Sequence, residues 1–310
     1  MNAFPGSVSV VIPVLDGGDA LGELLEQLFA QEVPLDFDVL IVDSGSCDGS
    51  LELARRYPVK LIQISPHEFD HGETRNLGIR QTSGEIVVLL TQDATPAASN
   101  FLVHIVRPFE DPRVAGVYGR QIPRPSCDVV SARNQNAWLV GRREPACALL
   151  GDRSLEDLAP MERYELCAFD SVCCAIRRSV WSECAYPRAV FGEDIAWGKA
   201  VITRGWKIAY EPSAAVLHSH RRSIAHEYHR TRICHATLFD LFGLATLPRL
   251  RDVLRAWAYN LKTDLPFVWR QASPGRERMR QMLRIAALSI ASPIAQYRGI
   301  RAGARTSLER

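Results

Sequence analysis

The chain has 310 residues, 47% of them hydrophobic, with a formal net charge of +2 and a mean hydropathy of −0.07. This is the profile of a soluble globular protein with one large domain, or a domain with an appendage. No run of about 18 apolar residues occurs, which argues against a membrane-spanning helix, and Met1–Gly6 lacks the basic and apolar regions of a secretory signal. Eight cysteines are scattered without a Cys-x-x-Cys pair, so reduced thiols in a cytoplasmic protein are expected.

The first half alternates strand and helix. Val8–Ile12 is apolar and β-branched, and Leu21, Leu24, Leu25 and Leu28 then recur at helical spacing, with Asp19 as a candidate N-cap. Asp38–Val42 and Val59–Ile64 read as further strands, separated by a helix carrying Leu51, Leu53, Ala54 and Tyr57. A helix through Thr74–Ile79, opened by Arg75 and Asn76, leads to the strand Glu85–Leu90. Another helix precedes Val114–Tyr118. Repeated βαβ units with nearly continuous apolar strands predict an α/β fold whose parallel sheet is covered on both faces.

Order weakens from Arg120 to Leu166, a polar stretch rich in Pro and Arg, and returns at Ala168–Ile176. After His220 the pattern turns helical. Leu250, Leu254, Trp257, Leu261, Leu265 and Val268 form one stripe, with Arg251, Arg255 and Lys262 mostly off it. Residues 249–310 hold 13 Arg and Lys against 4 Asp and Glu. Such a segment serves as a solvated helical face, a nucleic-acid patch or a contact with anionic lipid. No nucleic-acid motif accompanies it, so no nucleic-acid partner is expected.

The chemistry concentrates at strand ends. Open α/β sheets bind ligands at the carboxyl edge, and Asp43 and Asp93 each follow an apolar strand there. Asp43 is suited to hydrogen bonds from a base or ribose, or to an Asx-turn within Ser44-Gly45-Ser46. Arg75 offers a fork of donors to phosphate or a carbonyl. Asp93 is suited to a hard divalent cation bridging phosphates, or to a simple turn before Thr95-Pro96. Glu193 and Asp194 are adjacent acids in an apolar frame ending at Trp197, and on a helix start only one of them can face a site as general base. His218 and His220 share a face of an extended stretch and can complete a metal shell. His67, Asp70, His71 and Glu73 also crowd one loop, with a spacing that matches no standard metal site.

Together the segments resemble the inverting glycosyltransferases of family 2. The residues that carry the resemblance are Val10–Pro13, Ile41–Ser50, Thr74–Gly78, Leu90–Ala94, Gly192–Asp194 and Val216–His218, in order, across about residues 7–240. The Phe69–Asn76 run, Leu217–His220 and, more faintly, Gln296–Gly303 resemble the rhamnosyltransferase branch. The resemblance implies a GT-A (nucleotide-diphospho-sugar transferase) fold, with a Rossmann-like, mostly parallel sheet and helices on both faces. It implies a transferase domain over 1–240, with a nucleotide-binding half at about 7–120 and an acceptor half at about 121–240, then a basic helical extension over 241–310. By resemblance Pro13, Asp43, Arg75, Gln92 and Asp93 serve the donor nucleotide, and Asp194 is the catalytic base. Asp93 and His218, with His220 less certain, hold Mg²⁺ or Mn²⁺, and Glu193 and Trp197 lie on the acceptor side. Thr91 departs from the family's Asp-x-Asp motif, leaving Asp93 as its only acid.

The activity implied is a single in-line displacement, moving rhamnose from a dTDP-sugar to a saccharide or lipid-linked saccharide acceptor in cell-surface polysaccharide synthesis. A different UDP-, GDP- or dTDP-sugar, a nucleotidyltransferase, and a catalytically weakened glycan-binding or scaffold protein are the alternatives. A nucleotidyltransferase would need a Gly-rich phosphate loop near the N-terminus, where only Gly17-Gly18 occurs. The expected location is cytoplasmic, peripheral on the inner face of the cytoplasmic membrane, and a homo-oligomer is allowed for.

Overall fold

The computed structural model describes residues 6–34, 36–189, 191–220 and 222–308; residues 1–5, where a leader was sought, lie outside that set. The chain opens with β1 (Val8–Val14), α1 (Gly18–Phe29), β2 (Phe37–Asp43), α2 (Ser50–Ala54), β3 (Val59–Gln63), α3 (His71–Arg80) and β4 (Ile86–Leu90). It continues through β5 (Thr95–Pro96), α4 (Phe101–Val106), β6 (Val114–Ile122), α5 (Val129–Ala137), β7 (Ala146–Ala148) and α6 (Pro160–Leu166). Then come β8 (Cys173–Arg177), α7 (Arg178–Glu183), α8 (Glu193–Ile202) and β9 (Lys207–Leu217). Three helices close the chain: α9 (Ile224–Phe242), α10 (Leu250–Gln271) and α11 (Arg276–Leu308).

Two compact units result. One comprises residues 1–122, 138–155 and 166–218; the other comprises 123–137, 156–165 and 219–310. The weakly periodic stretch from Arg120 to Leu166 is therefore shared between them, which explains why no single period runs through it.

The first unit is a mixed sheet in the order β3-β2-β1-β4-β8-β6-β9-β5, with β7 on β9. Strands β3, β2, β1 and β4 are mutually parallel, as the βαβ pattern predicts; β3, with Lys60 and Gln63, is the half-exposed edge. The slot between β4 and β6 is filled by β8, antiparallel to both, so the parallel arrangement stops where the βαβ rhythm stops. The core lies between strands and helices: Val10, Ile12, Val88, Leu21, Leu24 and Leu25 are all fully enclosed. Asp19 proves to sit inside the first turn of α1, whose N-cap is Gly17. Arg75 and Asn76 likewise sit mid-helix, because Asp70 caps α3 by accepting the Gly72 and Glu73 amides.

The second unit is helical. Val130, Val268, Ala272 and Ile285 form its core. Ser223 caps α9 through the His226 amide, and Gly243 ends it in the left-handed region at φ 69°. Helices α9 and α11 touch closely at Gly299, where a Cβ would lie 2.3 Å from the Arg232 carbonyl oxygen. The stripe read along α10 divides. Val268 is buried, whereas Leu250, Leu254 and Trp257 are 64%, 62% and 39% exposed. Among the described residues no helix is long and apolar enough to cross a membrane.

Candidate active site

Strand order reverses between β1 and β4, the position where doubly wound sheets leave a crevice for ligands. Three loops leave the carboxyl edge there and are stitched together. The Gln92 side chain accepts from the Leu15 amide at 2.8 Å and donates to the Leu15 carbonyl at 2.9 Å. Ser46 Oγ accepts from the Asp16 amide, and Asp16 Oδ1 accepts from the Cys47 amide. Asp16 adopts φ 48°, a conformation that costs a non-glycine residue about 1 kcal/mol and that such cross-links sustain.

Asp43 ends β2 opposite Val14 of β1. It is fully enclosed, its Oδ2 accepting the Gly45 and Ser46 amides and its Oδ1 the Ser46 hydroxyl. Its carboxylate therefore shapes the turn that follows it. Pro13 is half-buried beside it, paired with Val42. Gln92 is held by the Leu15 backbone, which makes it a brace between loops.

Asp93 follows β4, and His218 follows β9. Two antiparallel pairs, Thr95 with Leu217 and Pro96 with Val216, draw these distant segments together. His218 is anchored by its amide on the Ile122 carbonyl and is 6% exposed. Its tautomer follows from its neighbours. The Asp170 carboxylate can only accept, so the amide nitrogen of Gln121 must face it, at 2.9 Å. Gln121 Oε1 then faces His218 Nδ1 at 2.9 Å and requires a proton there. In the neutral ring Nε2 then carries no proton, and it lies 3.6 Å from Asp93 Oδ1. His220, two residues further along, is exposed, and one ligand atom from each of Asp93, His218 and His220 falls within 4.8 Å of the others. One carboxylate and two imidazoles, one fixed in its ligating tautomer by a hydrogen-bonded partner, fit a divalent cation. The Thr91 hydroxyl beside them is buried without a hydrogen-bond partner among the described residues. The acid-rich 67–73 loop is accounted for by capping: Glu68 receives the Ser65 amide and Asp70 caps α3.

Asp194 enters the site on the first turn of α8. Gly192 precedes the helix at φ 80°, a left-handed conformation that glycine adopts without strain. Asp194 accepts the Ser171 amide at 3.1 Å. Burial first, and the adjacent Glu193 carboxylate second, push its acid up to about 6. Glu193 turns the other way, onto Arg75 Nη1 at 3.0 Å, with both side chains under a tenth exposed. Arg75 also donates to the His71 and Ser171 carbonyls. The two acids therefore differ in role: Glu193 is neutralised inside the protein, and Asp194 keeps an unpaired charge near neutral pH.

Several expected residues are thus placed elsewhere. Arg75, expected on the nucleotide, is occupied by Glu193 because both are buried and need a counter-charge. Glu193, expected on the acceptor side, is that counter-charge. Trp197 is fully enclosed, its indole N–H on the Cys184 carbonyl and its ring stacked on Tyr186, so it supports α8 from below. Asp170, Ser171 and Gln121 were not singled out from the sequence. Asp170 and Ser171 interrupt the apolar run 168–176, a signal that could have found them; Gln121 carries none.

Three side chains able to ligate a metal and a near-neutral acid at the carboxyl edge of the sheet are the arrangement expected of a GT-A glycosyltransferase. The comparisons agree, and the chain belongs to glycosyl transferase family 2, whose profile matches residues 9–184. It is 30% identical to the O-antigen chain rhamnosyltransferase RfbN of Salmonella typhimurium over 238 residues, 74% of this chain and 72% of that protein. WbaN of Salmonella anatum, another O-antigen chain rhamnosyltransferase, matches to the same extent. The fold is similar to the mannosyltransferase PcManGT of Pyrobaculum calidifontis, solved with GDP-Man and Mn²⁺ (TM-score 0.56, 19% identity, 99% of this chain and 77% of that one). It is also similar to TarS 1–349 of S. aureus (TM-score 0.56, 15% identity, 97% and 92%).

Proposed function

We propose that the protein is a metal-dependent inverting glycosyltransferase that moves rhamnose from a dTDP-sugar to a saccharide or lipid-linked saccharide in cell-surface polysaccharide synthesis. The observation that carries the mechanism is the loop Asp170-Ser171. Asp170 holds Gln121, which orients His218, and the next residue, Ser171, holds Asp194. Metal ligand and base are thereby set by consecutive backbone positions.

Asp194 takes the proton from an acceptor hydroxyl, for which an acid near 6 is well matched at neutral pH. The freed oxygen attacks the anomeric carbon from the face opposite the leaving diphosphate, which inverts that centre. Asp93, His218 and His220 would hold a divalent cation, which when bound would supply positive charge to the diphosphate. Two imidazoles in the set favour Mn²⁺ over Mg²⁺, which prefers oxygen alone. Pro13 and the Asp43 turn border the nucleoside end, and Gln92 keeps the two loops in register. The choice of rhamnose is supported by the similarity to the Salmonella O-antigen chain rhamnosyltransferases. On this reading residues 1–240 are the transferase domain and 241–310 an appended basic helical segment.

The apolar stripe on α10 supports a peripheral membrane location. Leu250, Leu254 and Trp257 face solvent, with Arg251, Arg255 and Lys262 beside them. A helix of this kind lies in an anionic lipid surface, and its arginines disfavour pairing with a second copy of itself.

Nucleoside diphosphate release from a panel of nucleotide sugars, with and without Mn²⁺, tests the reading. Release from the dTDP-sugar that requires both Mn²⁺ and a saccharide acceptor is expected. Release from none of the panel, or release unaffected by EDTA, would overturn it.

A further inference from the structure

The helical unit carries a half-open cavity of about 760 Å³ between α5, α9, α10 and α11. Its size is that of a small-molecule pocket, but its walls are neither apolar nor cationic. Val130, Ile285 and Leu288 are the only aliphatic residues among those lining it, and the remainder are mainly hydroxyls and amides. Arg133 pairs with Asp264 at 2.7 Å, while Arg284 donates to the Arg222 carbonyl and lies 3.7 Å from Asp128, its Nε buried without a hydrogen-bond partner among the described residues. Two lining arginines against two lining acids, Glu227 and Asp264, leave the walls without net charge. The side chains of Thr231, Asn260 and Glu227 are half-buried and meet no hydrogen-bond partner among the described residues. Tyr259, also in the lining, is 66% exposed and offers a ring face at the mouth.

An occupant that suits these walls carries many hydroxyls, no net charge and an apolar C–H face for an aromatic ring. We infer that the cavity is a saccharide site, which holds sugar units of the acceptor in the helical unit. The inference deepens the glycosyltransferase reading and rests on it for the acceptor being a saccharide. Half-buried donors and acceptors without partners bind a polyol more tightly than a ligand lacking hydroxyls, because such a ligand would leave them unpaired. Helix α10 carries both chemistries. Tyr259, Asn260, Thr263 and Asp264 line the cavity, while Leu250, Leu254 and Trp257, nearer the start of the helix, are exposed apolar residues. A lipid-linked saccharide has the same division between an apolar end and a polyol end.

The test is binding without turnover. Isothermal titration of the full chain with neutral di- to tetrasaccharides, rhamnose-containing ones included, is run in EDTA without nucleotide. At least one member of the panel is expected to bind. Asn260→Ala and Tyr259→Ala should each weaken it about fivefold or more, and Asp194→Asn should leave it unchanged. Tyr259 is exposed and Thr231→Val preserves shape, so these variants keep the test valid if Asn260→Ala folds poorly. Donor hydrolysis without acceptor should be unaltered in the Tyr259, Asn260 and Thr231 variants. If no saccharide binds in EDTA, or the Tyr259→Ala/Thr231→Val double variant binds as tightly as the unaltered chain, the cavity is no saccharide site, whatever the donor assay shows. If saccharide binds through these residues but no nucleotide sugar is consumed, the site stands and the transferase reading fails.

Discussion

Replacing Asp194 with Asn keeps the side chain's shape and an oxygen for the Ser171 amide, but removes the charge and the second oxygen, which accepts the Ile195 amide. In the fold, burial and Glu193 raise this acid from its ordinary value near 3.8 to about 6. Keeping it ionised above that pH therefore costs up to about 3 kcal/mol relative to the unfolded chain. Because the folded value is the higher one, the acid's contribution to stability is fullest below about pH 3.8 and is lost as pH rises through about 6. Asn carries no such penalty. The variant should be more stable than the unaltered chain at pH 8, by about 1–3 kcal/mol, and nearly equal to it at pH 4. Transfer should fall by roughly 10²–10⁴, while nucleotide binding stays near normal. In the unaltered enzyme, kcat/KM should climb with pH to a plateau above about 6, and the variant's residual rate should lack that limb. Urea unfolding at the two pH values, with acceptor-dependent release of nucleoside diphosphate, checks both halves. A variant less stable at pH 8, or one within tenfold of full activity, would refute the assignment of the base.

Gln121→Leu should leave His218 without its Nδ1 acceptor and weaken Mn²⁺ binding about 10- to 100-fold, read by the free-ion electron paramagnetic resonance signal without any substrate. Glu193→Gln strands Arg75 in a buried site and should cost about 3–5 kcal/mol in urea unfolding. It should also move the acid limb of the rate profile to lower pH, because the Glu193 charge is one cause of the raised Asp194 acid. Replacing both Leu254 and Trp257 with Glu should abolish flotation with anionic vesicles and leave transfer to a soluble acceptor intact; flotation unchanged from the parent would remove the membrane face from α10.

Much of the molecule is legible along the chain because local physics suffices for it. Four strand patterns, three of them nearly continuous apolar runs, each followed by a helical pattern, specify the parallel strands β1 to β4. Asp43 and Asp93 are recognisable because a polar residue directly after such a run must lie at the carboxyl edge. Gly192 before Glu193 and Asp194 marks a helix start on sequence grounds alone. The exposed stripe on α10 is visible as a period, although the period does not say which part of it meets solvent.

Only the tertiary structure decided who faces whom. Arg75 meets Glu193 across 118 residues, and Gln121 meets His218 across 97. No local signal carries such pairings, since they arise from strand register and from the need of buried charges and amides for partners. The same requirement separated two adjacent acids that the sequence presents as equals. Glu193 was drawn inward because a buried guanidinium awaited it, and Asp194, bound only by amides, was left as the acid near neutrality. The chain alone thus supplied the strands, the edge and the candidate groups; packing assigned each group its partner, because only in the folded core does an unpaired charge become costly enough to choose one.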